Sequence, residues 1–288
     1  MYNKTQPKSP NRIRRLIIFI FFIAILMLGL YSEPEITELT FTSDSLPKSF
    51  NGFKIVVLSD LHNEVFGTSQ DKLIKIIDSC SPDIIVLTGD IIDRDTSDFS
   101  PVTDLLDGIC SKYPVYAVTG NHEYDNSDYL NTLYSYYEQY NVALLENDFA
   151  EIKRDGEVIY IYGIPYMSKA EVLQNPQAFD IRNNTKNSYI LNNDIFSILL
   201  YHDPEIFDII SKADYDIIFS GHVHGGVIRL PFIGGMLSPN VEFFPKYDSG
   251  IYTKNNTALV VSRGLGQTII PRFNNRPEIV CITLFSGK

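Results

Sequence analysis

Five short segments place Asp, Asn or His beside Gly or at the end of an apolar run. They are Asp60-Leu61-His62, Gly89-Asp90, Gly120-Asn121-His122-Glu123, Tyr201-His202-Asp203 and Gly221-His222-Val223-His224. All five histidines of the chain lie in them. Carboxylate oxygen with imidazole nitrogen, and no thiolate, suits Mn²⁺, Fe²⁺ or Zn²⁺ and not a structural Cys–zinc knot. Two Asp, one Asn and four or five His are too many for one ion. They fit two divalent ions that share a bridging carboxylate. Taken singly, each segment is a weak signal, because a lone His is more often a hydrogen-bonded structural residue than a ligand. The weight lies in their combination.

Such residues need elements that converge. Asp60 and His62 are two apart, as are His222 and His224, so each pair points one way at the end of an extended segment. Gly89, Gly120 and Gly221 allow the sharp turns that convergence requires. Apolar runs at 54–59, 84–88 and 115–119 read as strands. Between them Leu73, Ile76, Ile77 and Cys80, then Val102, Leu105, Leu106 and Ile109, repeat at i, i+3, i+4, i+7, the spacing of one helix face. Pro101 suits a first helical turn, and Leu130, Leu133, Tyr134 and Tyr137 mark a third helix. This β-α-β-α-β alternation predicts a central sheet with covering helices. Ligands in such sheets bind outside the carboxyl ends of the strands, where the five segments fall. Further strands are expected at 157–162, 196–201, 217–220, 227–230, 258–262 and 278–284, with a helix at 204–212 capped by Asp203. Residues 33–52 read as a lead-in with one candidate strand at 36–42.

Composition sets the outer limits. The chain has 288 residues, a net charge of −11 and three Cys, at 80, 110 and 281. Those Cys are too few and scattered for a disulfide framework and read as core. Five of the 24 basic residues and none of the 35 acidic ones lie in residues 1–15, leaving 19 against 35 in the rest. A surface that acidic disfavours nucleic acid. Residues 16–31 (LIIFIFFIAILMLGLY) are apolar without interruption. The expectation is a basic cytoplasmic stub at 1–15 and an uncleaved transmembrane signal anchor at 16–31. The remainder would then be extracytoplasmic, held at the cell membrane by a single pass. A cleaved signal peptide and a buried core helix are the competing readings of the same run.

The ordered set D-x-H, GD-x-x-D (Gly89 to Asp93), G-N-H-E, H and G-H-x-H resembles the calcineurin-like metallophosphoesterase superfamily. The similarity covers roughly residues 53–285. The segments SGHVHGG (220–226), RLPFI (229–233), SRGLG (262–266) and NRPE (275–278) are similar to a bacterial membrane-anchored branch. The resemblance implies an α/β fold after the N-terminal anchor: a four-layer αββα sandwich, two mixed β-sheets flanked by helices, in a domain at 53–288. It implies one cation on Asp60, His62, Asp90 and His224, and a second on Asp90, Asn121, His202 and His222. Mn²⁺ is favoured over Fe or Zn²⁺. His122 would be catalytic, facing the substrate phosphate and leaving oxygen, with a metal-bridging hydroxide as nucleophile in phosphodiester or phosphomonoester hydrolysis.

Weaker candidates are Asp93 and Glu123, to orient a ligand His, and Arg94, Arg229 and Arg263, to contact phosphate. The alternatives are a UDP-2,3-diacylglucosamine-type pyrophosphate hydrolase with a lipid-linked substrate, and a non-catalytic metal-binding scaffold of the same fold. The apolar residues of the loop at 227–247 (Phe232, Ile233, Met236, Leu237, Phe243 and Phe244) are expected to pack against the sandwich. The other reading makes them a lip for a lipid-like substrate.

Overall fold

Residues 33–52 do more than lead in. In a computed structural model of the chain, which describes residues 10–179, 195–239 and 241–287, Glu35–Ser43 form β1, alternating half-buried and exposed. This strand pairs in parallel over all nine residues with the last strand, β14 (Glu278–Ser286). β14 runs antiparallel to β2 (Phe53–Leu58), and β3 (Ile84–Leu87), β4 (Val115–Ala117) and the short β5 (Ala143–Leu144) follow in parallel. The first sheet thus has the order β1-β14-β2-β3-β4-β5.

The second sheet also has six strands. β6 (Asp148–Arg154) and β7 (Glu157–Gly163) form an antiparallel pair. β8 (Ser197–Leu200), β9 (Ile217–Ser220) and β13 (Thr257–Val261) continue in parallel from β7, and β12 (Gly250–Lys254) closes the edge antiparallel. A small hairpin, β10 (Arg229–Leu230) with β11 (Gly234–Gly235), stands apart.

Period-two alternation explains the layers. Ile55 and Val57 of β2 face inward, with Val86, Ile198, Leu200, Phe219, Val260 and Ile282, and make the core between the sheets. Val56 and Leu58 face outward, under α2 (Asp71–Cys80), α3 (Ser100–Ile109) and α5 (Ser127–Gln139), through Leu73, Ile77, Leu105, Ile109, Leu133 and Tyr137. The outer face of the second sheet is covered by α6 (Lys169–Gln174) and α7 (Phe207–Ile210), through Val172, Phe207 and Ile210. Two mixed sheets with helices on both outer faces give the expected αββα sandwich. The helix foreseen at 204–212 is a 3-10 turn, Pro204–Ile206, followed by α7, and Asp203 caps it by accepting from the Glu205 N–H. Cys80 and Cys281 are buried and Cys110 is half-buried.

The N-terminal expectation needs correcting. α1 (Pro10–Gly29) is a helix of 20 residues, yet among the described residues no helix is long and apolar enough to cross a membrane. Arg12, Arg14 and Arg15 occupy its first turn and a half. Residues 16–29 remain, about 21 Å at 1.5 Å per residue, against about 30 Å of hydrocarbon. The transmembrane anchor at 16–31, membrane attachment through it and the single-pass cell-membrane location are therefore overturned. Of the basic stub, Lys4 and Lys8 lie outside the described residues.

Candidate metal centre

The carboxyl ends of five parallel strands meet at one edge of the sandwich. β2 runs into Asp60 and His62, β3 into Asp90, and β4 into Asn121 and His122 at the start of α4 (Asn121–Tyr124). From the second sheet, β8 runs into His202 and β9 into His222 and His224. The turns are tight. Asp60, His62, Asp90, His222 and His224 all hold positive φ, between 46° and 69°. For residues with a Cβ this left-handed backbone is uncommon and tends to cluster at functional sites. Gly89 (φ 97°) lies where a Cβ would strike the backbone nitrogen of Gly120, so the β3 and β4 turns can touch only through glycine.

The side chains form three groups of candidate ligands: Asp60–His62–His224 and Asp90–His202–His222 each draw on both sheets, and the more open His62–Asp93–His122 comes from the first sheet alone. In the first, His62 Nε2 and His224 Nε2 are 3.1 Å apart, with Asp60 Oδ1 3.5 Å from the latter. In the second, His202 Nε2 is 3.2 Å from Asp90 Oδ2 and 3.1 Å from His222 Nδ1. Asp90 Oδ2 is also 3.8 Å from His62 Nε2, so this carboxylate lies between these two groups. His202 Nδ1–H donates to the Thr88 carbonyl at 2.7 Å, which leaves Nε2 as the ligating atom. Asn121 Oδ1 is buried without a hydrogen-bond partner, an expensive state for an amide oxygen that a cation would relieve. The donor set therefore fits a dinuclear divalent-metal cofactor.

Electrostatics agree with that fit at three of the four imidazoles. Burial lowers the pKa of His62, His222 and His224, keeping these imidazoles neutral, the form that binds metal. Burial pushes the Asp90 carboxyl up, but His202, His62 and His122 outweigh it and hold it well below the usual carboxylate range. His202 is the reciprocal case: burial lowers it, and Asp90 with Asp60 drives it up to about 10.

The other sequence candidates separate. His122 lies in the second rank, its Nε2 4.0 Å from Asp90 Oδ2. Its Nδ1 is 2.7 Å from Asp93 Oδ1 and its Nε2 is 2.9 Å from Arg94 Nη2. Glu123 is buried and orients backbone, not a ligand ring. Its carboxylate accepts the N–H groups of Gly120, Asp90, Ile91 and Ile92 at 2.7–3.3 Å. Arg94 lines a cavity of about 620 Å³ together with His62, Asp90, Asn121, His122 and His224. Arg229 and Arg263 do not line it. Arg229 is paired with Asp248, and Arg263 with Glu35 and Glu278.

Two neighbours escaped sequence reasoning. Arg272 is buried with Nη2 3.1 Å from His224 Nδ1. Tyr166 packs its ring 6.1 Å from His202 and 6.2 Å from His222. Neither belongs to a motif, and only the folded chain brings them here.

A four-layer sandwich with clustered Asp and His at its strand ends defines a metal-dependent phosphoesterase. The profile of the calcineurin-like phosphoesterases matches residues 53–226, and the chain belongs to that family. It is 35% identical to the uncharacterized metallophosphoesterase YkuE of Bacillus subtilis (strain 168), over 89% of this chain and 88% of that one. It is 24% identical to the phosphodiesterase YaeI of Escherichia coli (strain K12), over 81% and 82%. The crystal structure of TT1561 of Thermus thermophilus superposes with a TM-score of 0.50 at 11% identity, covering 75% of this chain and 91% of that one, a likeness of fold. The narrower expectation of a membrane-anchored branch is corrected to the family alone, since no described helix spans a membrane.

Proposed function

We propose that the chain hydrolyses a phosphoester with two divalent cations, Mn²⁺ in preference to Fe or Zn²⁺. One observation carries this reading: Asp90 lies between two Asp/His groups, each of which brings two imidazole nitrogens within 3.1 Å of each other. Asp60, His62, Asp90 and His224 would hold the first cation; Asp90, Asn121, His202 and His222 would hold the second. Mn²⁺ is favoured because three of these seven residues offer hard oxygen and none offers sulfur. Two such ions supply positive charge for phosphate oxygens and acidify water, so a nucleophile exists at neutral pH.

The remaining steps belong to the chain's own groups. Asp93 accepts a hydrogen bond from His122 Nδ1–H, which fixes the ring and leaves Nε2 facing Arg94. Nε2 is then the atom that delivers a proton to the leaving oxygen. Arg94, now against Nε2, is within reach of a phosphate oxygen in the same cavity and offers a planar fork of donors. The scaffold alternative loses its basis, because no ligand and neither member of the Asp93–His122 pair is missing.

Bis(p-nitrophenyl) phosphate is the first substrate to try, since a relative at 24% identity is named a phosphodiesterase; p-nitrophenyl phosphate is the monoester control. Wild type loaded with Mn²⁺ should turn over at least one. His122→Ala should keep its metal and lose most turnover, by roughly 10²-fold or more. Asp90→Ala should lose both metal and turnover. A fully loaded wild type inert toward both esters would overturn the reading.

A further inference from the structure

The loop at 227–247 packs only in part as expected: Met236 and Leu237 are half-buried, but the other four named residues are not. Phe232, Ile233, Val241, Phe243 and Phe244 are exposed, by 57% or more, and Ile269 on a second loop is fully exposed. The backbone holds them outward against its own preference. Phe232, Val241 and Phe244 take φ of 70°, 63° and 54°, a region that aromatic and β-branched residues disfavour. The loop is also fastened to the metal-ligand segment. Arg229 Nη1 donates to the Gly225 carbonyl at 2.6 Å and to Asp248 Oδ2 at 2.9 Å, and the same Asp248 oxygen accepts the Gly235 N–H.

Continuity ties this surface to the site. Ser238 is tied to the residues that follow, with the Val241 N–H on the Ser238 carbonyl and the Ser238 N–H on the Glu242 carbonyl, both 2.9 Å. Pro239, next to Ser238, lines the cavity, and Ile269 and Ile270 line it from the second loop. The cavity therefore has a floor of imidazoles and carboxylates and three apolar residues, Pro239, Ile269 and Ile270, at its rim. Exposed apolar side chains at the rim of a cavity mark a binding role.

We propose that this rim takes the hydrocarbon part of an amphiphilic phosphoester, an alkyl or acyl chain carried on the phosphate that the floor binds. The proposal rests on the phosphoester reading above and names the substrate class. A phosphate on the floor leaves its organic group facing Pro239 and Ile269. A hydrocarbon chain laid against Pro239, Ile269 and Ile270 would gain by burial.

The test uses binding, so it does not depend on turnover. Ethyl-, hexyl- and decylphosphonate, each below its micelle concentration, are titrated into the Mn²⁺-loaded full chain by calorimetry. Each buried methylene is worth about fourfold in affinity. Decylphosphonate should bind at least about tenfold tighter than ethylphosphonate, one per chain, with a negative heat-capacity change. Saturating inorganic phosphate should displace it. In the double variant Ile269→Ser, Ile270→Ser, with metal content as in wild type, the decyl-to-ethyl ratio should fall to within about twofold of one. A wild-type ratio near one, a ratio that survives the substitutions, or decyl binding that resists phosphate would each overturn the proposal. Turnover of the nitrophenyl esters reports separately on the phosphoester reading.

Discussion

At the scale of single residues, Glu123 shows how a motif position can be right and its task wrong. The sequence marks it beside Asn121 and His122, and orienting a ligand ring is the natural expectation. The structure instead gives its two oxygens four backbone N–H groups, three of them from the Asp90 turn. Backbone partners some thirty residues away leave no trace in side-chain spacing. Glu123→Gln turns an NH₂ donor against those N–H groups, so we expect a loss of about 2–3 kcal/mol in denaturant unfolding. Because the Asp90 turn serves both ligand groups, metal content should fall at both sites together; loss of only one ion would count against this role. Asp93→Asn leaves every candidate ligand in place but presents either an amide donor or a weaker acceptor to His122 Nδ1. It should retain metal and lower kcat by about tenfold or more, which metal analysis beside steady-state rates will decide. The five Asp/Asn/His segments were legible because their types and offsets are local, and the resemblance supplied the division into two ligand sets. Arg272 and Tyr166 were not, because each arrives from a distant loop.

Among the elements, legibility followed burial pattern. Strands buried on both faces, such as Ile84–Leu87 and Ile217–Ser220, are continuous apolar runs and were read nearly to the residue. β6 and β12 are edge strands with mixed polar sequences, DFAEIKR and GIYTK, whose alternation is too weak to register. The expected strand at 227–230 shrinks to Arg229–Leu230, since Val227 takes φ 31° at the end of the metal-ligand loop. β1 has the largest consequence. It carries nine residues of pairing with β14, and the link from β1 to β2 buries Leu46 and Phe50 in the inter-sheet core. A chain that starts at residue 53 should therefore be far less stable than one that starts at residue 30. Phe50→Ala alone should cost about 3–5 kcal/mol. Equal thermal midpoints for the two truncations would refute this account of the first sheet.

For the molecule as a whole, the sandwich was readable from its β-α alternation together with the resemblance, whereas the N-terminal segment was misread. Counting apolar residues at 16–31 gave a span; the helix that forms includes three arginines and leaves too short an uncharged length. Metal should matter to global stability as well as to chemistry. A cation that binds only the folded chain adds about 2.7 kcal/mol when present at a hundredfold its dissociation constant. That corresponds to a rise of several degrees in thermal midpoint for a chain of this size, reversed by a chelator and measurable by calorimetry. Each of the two proposed cation sites takes residues from both sheets, so a cation in either would act as a rivet through two plates whose shared core is apolar. Metal should therefore slow amide exchange at the strand ends that carry Asp60, Asp90, His202 and His222, and leave exchange at the opposite edge of the seam unchanged. The reaction centre would then also be the fastener at one end of the hinge line between the sheets.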